Sequence, residues 1–280
     1  MDPIPVFYTD EMLVEDSGSR SRSAGKPRAV VAAWERSGLP IDLRPVVPVS
    51  VEDFCLAHDA AFVRGVLACD IDNGFRNRRK DIAATLPLTT GAMLGAASFA
   101  LQVGVACAPV SGFHHAQYSE ASAFCTFNGL MVAALRLIRD RRVHRVMILD
   151  CDQHLGNGTD DIITRLKVSE VENVTFARWF ATSPQADRYL EMLDVQTCRF
   201  NEFDLILYQA SADVHVDDPL GGVLDTQQMR RRDRMVFAAA KASGTPIAWN
   251  LAGGYQEPLS KVVALHVNTM QECVDVYGTD

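Results

Sequence analysis

RVMILDCDQHLGNGT, residues 145–159, is the most informative stretch of the chain, because a short apolar run leads directly into a cluster of polar side chains. The run at 145–150 is typical of a strand buried on both faces. Phe203–Ser211 (FDLILYQAS) and Pro246–Gly253 (PIAWNLAG) have the same character, and Val174–Phe180 is a weaker candidate. Runs of this kind predict a buried sheet.

Helix signals alternate with these runs. An Asn cap predicts a helix over 128–140, a capping box one over 225–244, and a proline in the first turn one over 258–270. Alternating strands and helices predict an α/β domain, with a mostly parallel sheet flanked by helices. No linker divides the chain, so we expect a single domain over 1–280, with a mobile Ser/Gly/Arg-rich loop at 15–27. In such sheets a ligand site lies beyond the carboxyl ends of the strands.

Composition excludes some classes of protein. The chain has 280 residues, of which 48% are hydrophobic, and this content excludes a mostly disordered chain. A net charge of −8 argues against direct nucleic-acid binding, which needs a clustered basic surface. Seven cysteines, an odd number without a CxxC motif, predict reduced thiols and a cytoplasmic location. The amino terminus lacks the features of a secretion signal.

One uncharged stretch, Gly91–Phe113, is long enough to span a membrane. It is rich in Gly, Ala and Ser and contains Gln102 and Pro109. We therefore expect a buried helix to about Gln102, then a buried strand over Val103–Val110, and no membrane partner.

Candidate metal ligands follow two of the predicted strands. Asp150, Asp152 and His154 follow the first, and Asp152 and His154 point the same way if the chain stays extended. An oxygen and nitrogen pair of this type suits a divalent metal such as zinc, although turn-forming residues at a strand end are the plain alternative. Asp213 follows the second strand and would complete a three-ligand catalytic site.

Three neighbours of Asp213 compete with it for that role. They are His215, Asp217 and Asp218. For the two carboxylates we prefer turn or helix capping before Pro219.

The other strand ends carry a histidine pair and a tyrosine. His114 and His115 follow Val103–Val110, and a general base that works near neutral pH is most often His. Tyr255 follows two glycines that allow close approach of the backbone to a ligand, and its phenol can stabilise an oxyanion. A surface histidine pair and a packing tyrosine remain alternatives. Four strands thus deliver these groups to one edge of the predicted sheet.

The chain resembles the zinc-dependent histone deacetylase family, with its bacterial relatives that include acetylpolyamine amidohydrolases. The resemblance covers about 73–270, with a fainter match at SAGKP (23–27) and HDAAFV (58–63). The residues before MVF at 231–233 and the GGYQ ending are similar to the class IV branch. Five ordered motifs carry the resemblance: SGFHHA (111–116), AFCTFN (123–128), RVMILDCDQHLGNGT (145–159), ASADVHVDDPLGG (210–222) and LAGGYQ (251–256).

The resemblance implies the arginase/deacetylase fold, with about eight strands, and a role for each matching residue. The implied metal ligands are Asp152, His154 and Asp213. His115 is the implied general base. Structural potassium beneath the catalytic metal, held partly by backbone carbonyls, is implied as well. The remaining implied site residues are His114 as the second catalytic histidine, Asp150 orienting it, Asn157 beside His115, Tyr255 polarising the carbonyl, and Phe124, Gly112 and Gly254 at the substrate.

The sequence departs from the family pattern at two places. Leu155 stands where a second His is common and is not expected to touch the metal. The segment 176–184, FARWFATSP, differs from the usual family loop. The resemblance therefore does not predict which residues form one tunnel wall and part of the cation site. The chain is also shorter than most members, which suggests trimmed rim loops.

We therefore predict a metal-dependent amidohydrolase, using Zn²⁺ or alternatively Fe²⁺, that removes acetyl or related acyl groups. Substrates would be acyl-lysine in proteins or peptides, or small acylated amines. The alternatives are a dedicated acetylpolyamine deacetylase, a non-catalytic acyl-lysine-binding homologue, and an arginase-like ureohydrolase with two manganese ions. The oligomeric state is left open.

Overall fold

Short strands of four or five residues form one parallel sheet in the computed structural model of the protein, which describes residues 2–19 and 24–278. Within those residues the sheet has seven strands in the order β2-β1-β3-β7-β6-β4-β5. The predicted α/β fold is confirmed, with one strand fewer than the expected eight or so. In chain order the strands are β1 (Ile4–Phe7), β2 (Ile41–Arg44), β3 (Val105–Ala108), β4 (Val146–Asp150), β5 (Val171–Thr175), β6 (Leu205–Gln209) and β7 (Ile247–Asn250).

Helices cover both faces of this sheet. Residues of β4 alternate between two cores: Met147 and Leu149 belong to one, and Val146 and Ile148 to the other. Where both faces are buried, as in β3, β4, β6 and β7, the strands are nearly continuous apolar runs rather than alternating patterns. The helices are α1 (Lys26–Arg36), α2 (Val51–Phe54), α3 (Ala60–Leu67), α4 (Lys80–Val103), α5 (Gly129–Arg139), α6 (Asn157–Leu166), α7 (Ala186–Thr197), α8 (Thr226–Ser243) and α9 (Leu259–Tyr277). The first core holds residues of α1, α7, α8 and α9, and the second holds residues of α2 to α6.

The predicted helix starts are confirmed. Asn128 caps α5 by accepting a hydrogen bond from the Met131 amide, and the capping box of Asp225 and Gln228 starts α8. Helix α8 ends before Gly244, which has a φ of +70°. Helix α9 starts after Pro258 but runs on to Tyr277, because its C-terminal half still packs in the first core.

The observed strands are all shorter than the predicted runs, and the difference is informative at two places. The segment predicted over Val174–Phe180 is a strand only at its start, since β5 ends at Thr175 and a short 3₁₀ turn follows. The strand predicted over Val103–Val110 is shortened at both ends to β3. Helix α4 continues to Val103, and Gly104, with a φ of +92°, then separates the two elements.

Helix α4 is long and apolar enough to cross a membrane by length and composition, and 56% of its most apolar window is buried inside the fold. Its Ala92, Met93, Ala96 and Ala97 pack in the second core with residues of β3 and α5. This is the position of a core helix, as the sequence predicts.

The loop predicted over 15–27 ends earlier than expected, because a helix starts at Lys26. Residues 20–23 lie outside the described part of the chain. Helix α1 starts within the predicted loop, at Lys26, and both Lys26 and Pro27 are buried. Lys26 is fixed by contacts with residues more than 200 positions away, which no local pattern could indicate.

Candidate active site

Three predicted metal ligands meet at the carboxyl ends of two neighbouring strands. Strand β4 leads to Asp152 and His154, and β6, which pairs with β4, leads to Asp213. One ligand atom from each of the three side chains lies within 4.8 Å of the others. The His154 Nδ1 is 3.1 Å from Asp152 Oδ1 and 3.1 Å from Asp213 Oδ2. The predicted ligand set is thus brought together in space.

The outer oxygens of the two carboxylates are fixed by neutral donors. The Ser211 hydroxyl lies 2.8 Å from Asp152 Oδ2 and 2.6 Å from Asp213 Oδ1. The Gly253 amide donates to Asp152 Oδ2 at 3.2 Å, and the Gln153 amide donates to Asp213 Oδ1 at 2.9 Å. These contacts orient the remaining oxygens toward His154.

Two buried carboxylates this close together need positive charge between them. Burial and the nearby Asp152 charge raise the pKa of Asp213. Burial opposes ionisation of Asp152 as well, but His114 and His154 outweigh it and lower the pKa of Asp152. A divalent cation at the point where the three ligand atoms converge would stabilise both anions, so this donor set fits such an ion.

His114 is held by a carboxylate. Its Nδ1 donates to Asp150 Oδ2 at 2.7 Å, and its Nε2 is 3.6 Å from Asp152 Oδ1. The other Asp150 oxygen accepts from Gln209 Nε2 at 2.8 Å. Burial disfavours the charged imidazole, yet Asp150 and Asp152 raise the pKa of His114 to about 9.

His115 is held by a neutral amide instead. Its Nδ1 lies 2.7 Å from Asn157 Oδ1. Burial and the neighbouring His114 lower the pKa of His115. The two adjacent histidines therefore have opposite protonation preferences near neutral pH, an arrangement that separates acid and base roles.

Tyr255 is placed by the loop that follows β7. Its backbone amide donates to Asp218 Oδ2 at 2.8 Å. Its ring centroid is 6.2 Å from that of Phe124. Gly254 has a φ of +134°, and a Cβ there would lie 2.7 Å from Val262 Cγ1, so only glycine fits.

The predicted site residues surround one pocket of about 370 Å³. Asp150, Asn157 and Asp213 lie behind its wall, in contact with the residues that form it. The lining includes His114, His115, Asp152, His154, Tyr255, Phe124, Gly112 and Gly254.

A second cavity adjoins this pocket. It has about 650 Å³ of space and shares Ser111, Gly112 and Phe124 with the pocket. The rest of its lining comes mainly from apolar and threonine side chains, including Leu86 and Thr90 of α4.

The competing ligand candidates near Asp213 have other partners. His215 accepts from the Asp217 amide through Nδ1, and its Nε2 lies 2.9 Å from the Thr226 hydroxyl. The Asp217 side chain is 70% exposed. Asp218 accepts from the Leu220 amide, as expected of a turn residue, and also from Tyr255.

The structure adds two site residues that the sequence interpretation missed. Lys26 lines the pocket and donates to backbone carbonyls of the loop before Tyr255. Ser211 bridges the two ligand carboxylates. Its position two residues before Asp213 was the one available signal, since alternate residues of an extended segment face the same side.

The departures from the family pattern lie near the site. Leu155 is 40% exposed, and the structure gives it no place among the converging ligand atoms. The segment 176–184 lies beside the loop that carries Asp152 and His154, since Gln153 Nε2 in that loop donates to the Ala181 carbonyl at 3.4 Å. Arg178 pairs with Asp160 of α6. The segment 176–184 therefore contacts both the loop that carries the candidate ligands and helix α6.

Comparison with known proteins identifies the family to which the chain is similar. Residues 22–189, more than half of the chain, match the family described as histone deacetylase domain. An uncharacterized protein of Picosynechococcus sp. is 31% identical over 70% of this chain and 71% of its own length. Histone deacetylase 2 of Arabidopsis thaliana is 29% identical over 62% of this chain and 50% of its own length.

One further relative and one solved structure bear on the family and on the fold, respectively. A probable deacetylase of Methanothermobacter thermautotrophicus is 30% identical over 51% of this chain and 45% of its own length. The chain therefore spans about half the length of two of these curated relatives. The crystal structure of the HDA15 HD domain superposes with a TM-score of 0.76 at 18% identity, covering 99% of this chain and 94% of that one, which shows the shared fold. The chain belongs to the histone deacetylase domain family.

Proposed function

We propose that the protein is a metal-dependent amidohydrolase that removes acetyl or related acyl groups from amines. The observation that carries this proposal is the convergence of Asp152, His154 and Asp213 beside two histidines, one held by a carboxylate and the other by a neutral amide. These three side chains would hold one divalent ion, zinc or alternatively ferrous iron. Such an ion supplies a Lewis acid for the amide carbonyl and makes water more acidic.

His115 is suited to act as the general base. Its Nδ1 proton is directed to Asn157 Oδ1, which leaves the Nε2 lone pair free to take a proton from water. Its lowered pKa keeps that nitrogen unprotonated near neutral pH. The same nitrogen can then return the proton to the leaving amine.

His114 and Tyr255 are suited to stabilise the negative charge that develops on the amide oxygen. Asp150 accepts from His114 Nδ1 at 2.7 Å and raises the pKa of the imidazole, which favours a hydrogen-bond donor at His114 Nε2 beside the ligands. The Tyr255 side chain lines the same pocket and can donate its hydroxyl proton in a hydrogen bond. Burial and nearby carboxylates raise the pKa of Tyr255, which keeps the phenol protonated as a donor.

For the substrate we propose acyl-lysine in proteins or peptides, or a small acylated amine. The Phe124 ring beside Tyr255 forms a flat apolar wall suited to an alkyl chain. The net charge of −8 favours cationic substrates of either kind, including acetylpolyamines. A dedicated polyamine deacetylase is the alternative within this class.

The adjoining cavity supports acyl groups longer than acetyl as further substrates. Because it shares Gly112 and Phe124 with the pocket, a bent acyl chain could extend from one into the other. The buried Thr90 faces this cavity, so Thr90→Met should reduce activity on long acyl-lysines while leaving acetyl-lysine hydrolysis nearly unchanged. Equal loss on both substrates would argue against this use of the cavity.

We also propose structural potassium near the backbone of Asp150, Asp152 and His154, a proposal that rests on the resemblance. A cytoplasmic location is proposed as well, and its support is that all seven cysteines are free thiols. An arginase-like site with two manganese ions has less support, because the described residues offer one such cluster of three ligands.

Two measurements on the purified protein test the proposal. Metal analysis should give one divalent ion per chain, where two would favour the ureohydrolase alternative. Activity on acetyl-lysine peptides, acetylpolyamines and longer acyl-lysines should identify the substrate class. Metal binding without hydrolysis of any of these would favour a non-catalytic homologue.

A further inference from the structure

The loop 251–255, here called the tyrosine loop, connects β7 to Tyr255 and includes a residue in an unfavourable backbone conformation. Ala252 has a φ of +52° and Gly254 a φ of +134°. A left-handed conformation costs an alanine roughly 1 kcal/mol, so tertiary contacts must hold it in place. Two charged residues from distant parts of the chain make such contacts.

Lys26 holds the middle of the tyrosine loop. It is 1% exposed, and its Nζ donates to the Ala252 carbonyl at 2.5 Å and to the Gly253 carbonyl at 2.9 Å. Burial of an ammonium group is unfavourable in free energy, and hydrogen bonds to these two carbonyls offset part of that penalty. They can do so only while the tyrosine loop keeps this shape.

Asp218 holds the end of the tyrosine loop. It is 6% exposed, and both of its oxygens are occupied by backbone amides. Oδ2 accepts from Tyr255 at 2.8 Å, and Oδ1 accepts from Leu220 at 3.0 Å. A carboxylate accepts at both oxygens, whereas an Asn at the same place would have to turn its NH₂ group toward one of the two amides.

We propose that Asp218 and Lys26 are positioning residues that fix the Tyr255 hydroxyl at the reacting carbonyl by holding the backbone of the tyrosine loop. This inference rests on the proposed function, in which Tyr255 donates to the oxyanion. Neither side chain needs to touch the substrate for this role. The family resemblance assigned a role to neither residue.

The consequence is a loss of rate that depends on Tyr255. Asp218→Asn removes one charge-assisted acceptor and loosens the Tyr255 backbone, and a misplaced catalytic group reduces rate by about 10–100-fold. We expect that loss in kcat with little change in KM, because the substrate wall at Phe124 is untouched. Asp217→Asn is the matched control, since it makes the same charge change at an exposed neighbour.

A double-mutant cycle tests the proposal with the metal-loaded protein. Kinetics on an acetyl-lysine peptide are measured for wild type, Asp218→Asn, Tyr255→Phe and the double variant, with metal content as a check. Once the Tyr255 hydroxyl is absent, adding Asp218→Asn should cost less than about threefold. Lys26→Met should behave in the same way. An equal loss in both backgrounds, or no loss from Asp218→Asn, overturns the proposal.

A second readout is independent of activity. Amide hydrogen exchange at Tyr255 should be faster in Asp218→Asn than in wild type or Asp217→Asn, because that amide loses its acceptor. Unchanged exchange overturns the positioning role even if the protein has another activity. Inactive wild type, or full activity of Tyr255→Phe, combined with faster exchange in Asp218→Asn would instead contradict the proposed function and leave the backbone contact supported.

Discussion

The metal site leaves no room for a side chain at position 253, where the chain has Gly253. A Cβ at this position would lie 2.3 Å from Asp213 Oδ2 and 2.9 Å from Asp152 Oδ2. Since ordinary contacts are about 3.5 Å, Gly253→Ala must displace the Asp213 carboxylate by roughly 1 Å. Metal sites tolerate deviations of about 0.2 Å in ligand distance, so we expect metal affinity to fall by about 100-fold or more.

The assay for Gly253→Ala is zinc binding at buffered free-metal concentrations, followed by metal analysis of the protein. Gly112→Ala is the matched control, because a Cβ there would meet nothing closer than 3.7 Å and should leave zinc affinity unchanged. Thermal unfolding of both variants separates loss of metal from loss of fold. Wild-type zinc affinity in Gly253→Ala would refute the assigned ligand geometry.

Two further predictions concern stability. Burial lowers the pKa of His58 to about 4, and its neutral ring accepts from the Asn128 amide, so protonation opposes folding as pH falls from 6.5 toward 4. Acidification from pH 7 to pH 5 should therefore cost about 2 kcal/mol through His58 alone, and His58→Gln should remove that part of the pH dependence in denaturant titrations. The same pH dependence in His58→Gln would exclude His58 as its source. Asp225→Ala removes the cap of α8 and should destabilise the protein by about 1 kcal/mol in urea unfolding, with a smaller effect of Gln228→Ala; an unchanged midpoint in Asp225→Ala would contradict the cap.

The sequence predicted the central strands well because burial on both faces leaves a local mark. The predicted run Phe203–Ser211 contains β6, and Arg145–Asp150 contains β4. Strands β1 and β2 leave no such mark, since β1 contains Pro5 and β2 alternates Ile41 and Leu43 with charged residues. Their assignment depends on pairing with each other and with β3, which is a tertiary property.

The site was predicted where chemistry-bearing residues directly follow strands. Asp152, His154 and Asp213 lie together because β4 and β6 are neighbours in a parallel sheet. Lys26 was missed because an isolated lysine in a Ser/Gly/Arg-rich segment resembles a solvated one, and only its contact with Ala252 and Gly253 shows otherwise. Asp218 was predicted only as a turn or capping residue. Its contact with the Tyr255 amide joins residues 37 positions apart, and a local capping pattern cannot indicate such a contact.

The most direct test of the proposed chemistry is acetyl-lysine peptide hydrolysis by zinc-loaded wild type and Tyr255→Phe at matched metal content. We predict that wild type is active and that Tyr255→Phe binds one zinc ion normally but loses roughly 10²–10³-fold in kcat, as for removal of other oxyanion donors. Full activity of Tyr255→Phe, with zinc bound, would contradict the assignment of this pocket as a deacetylase site.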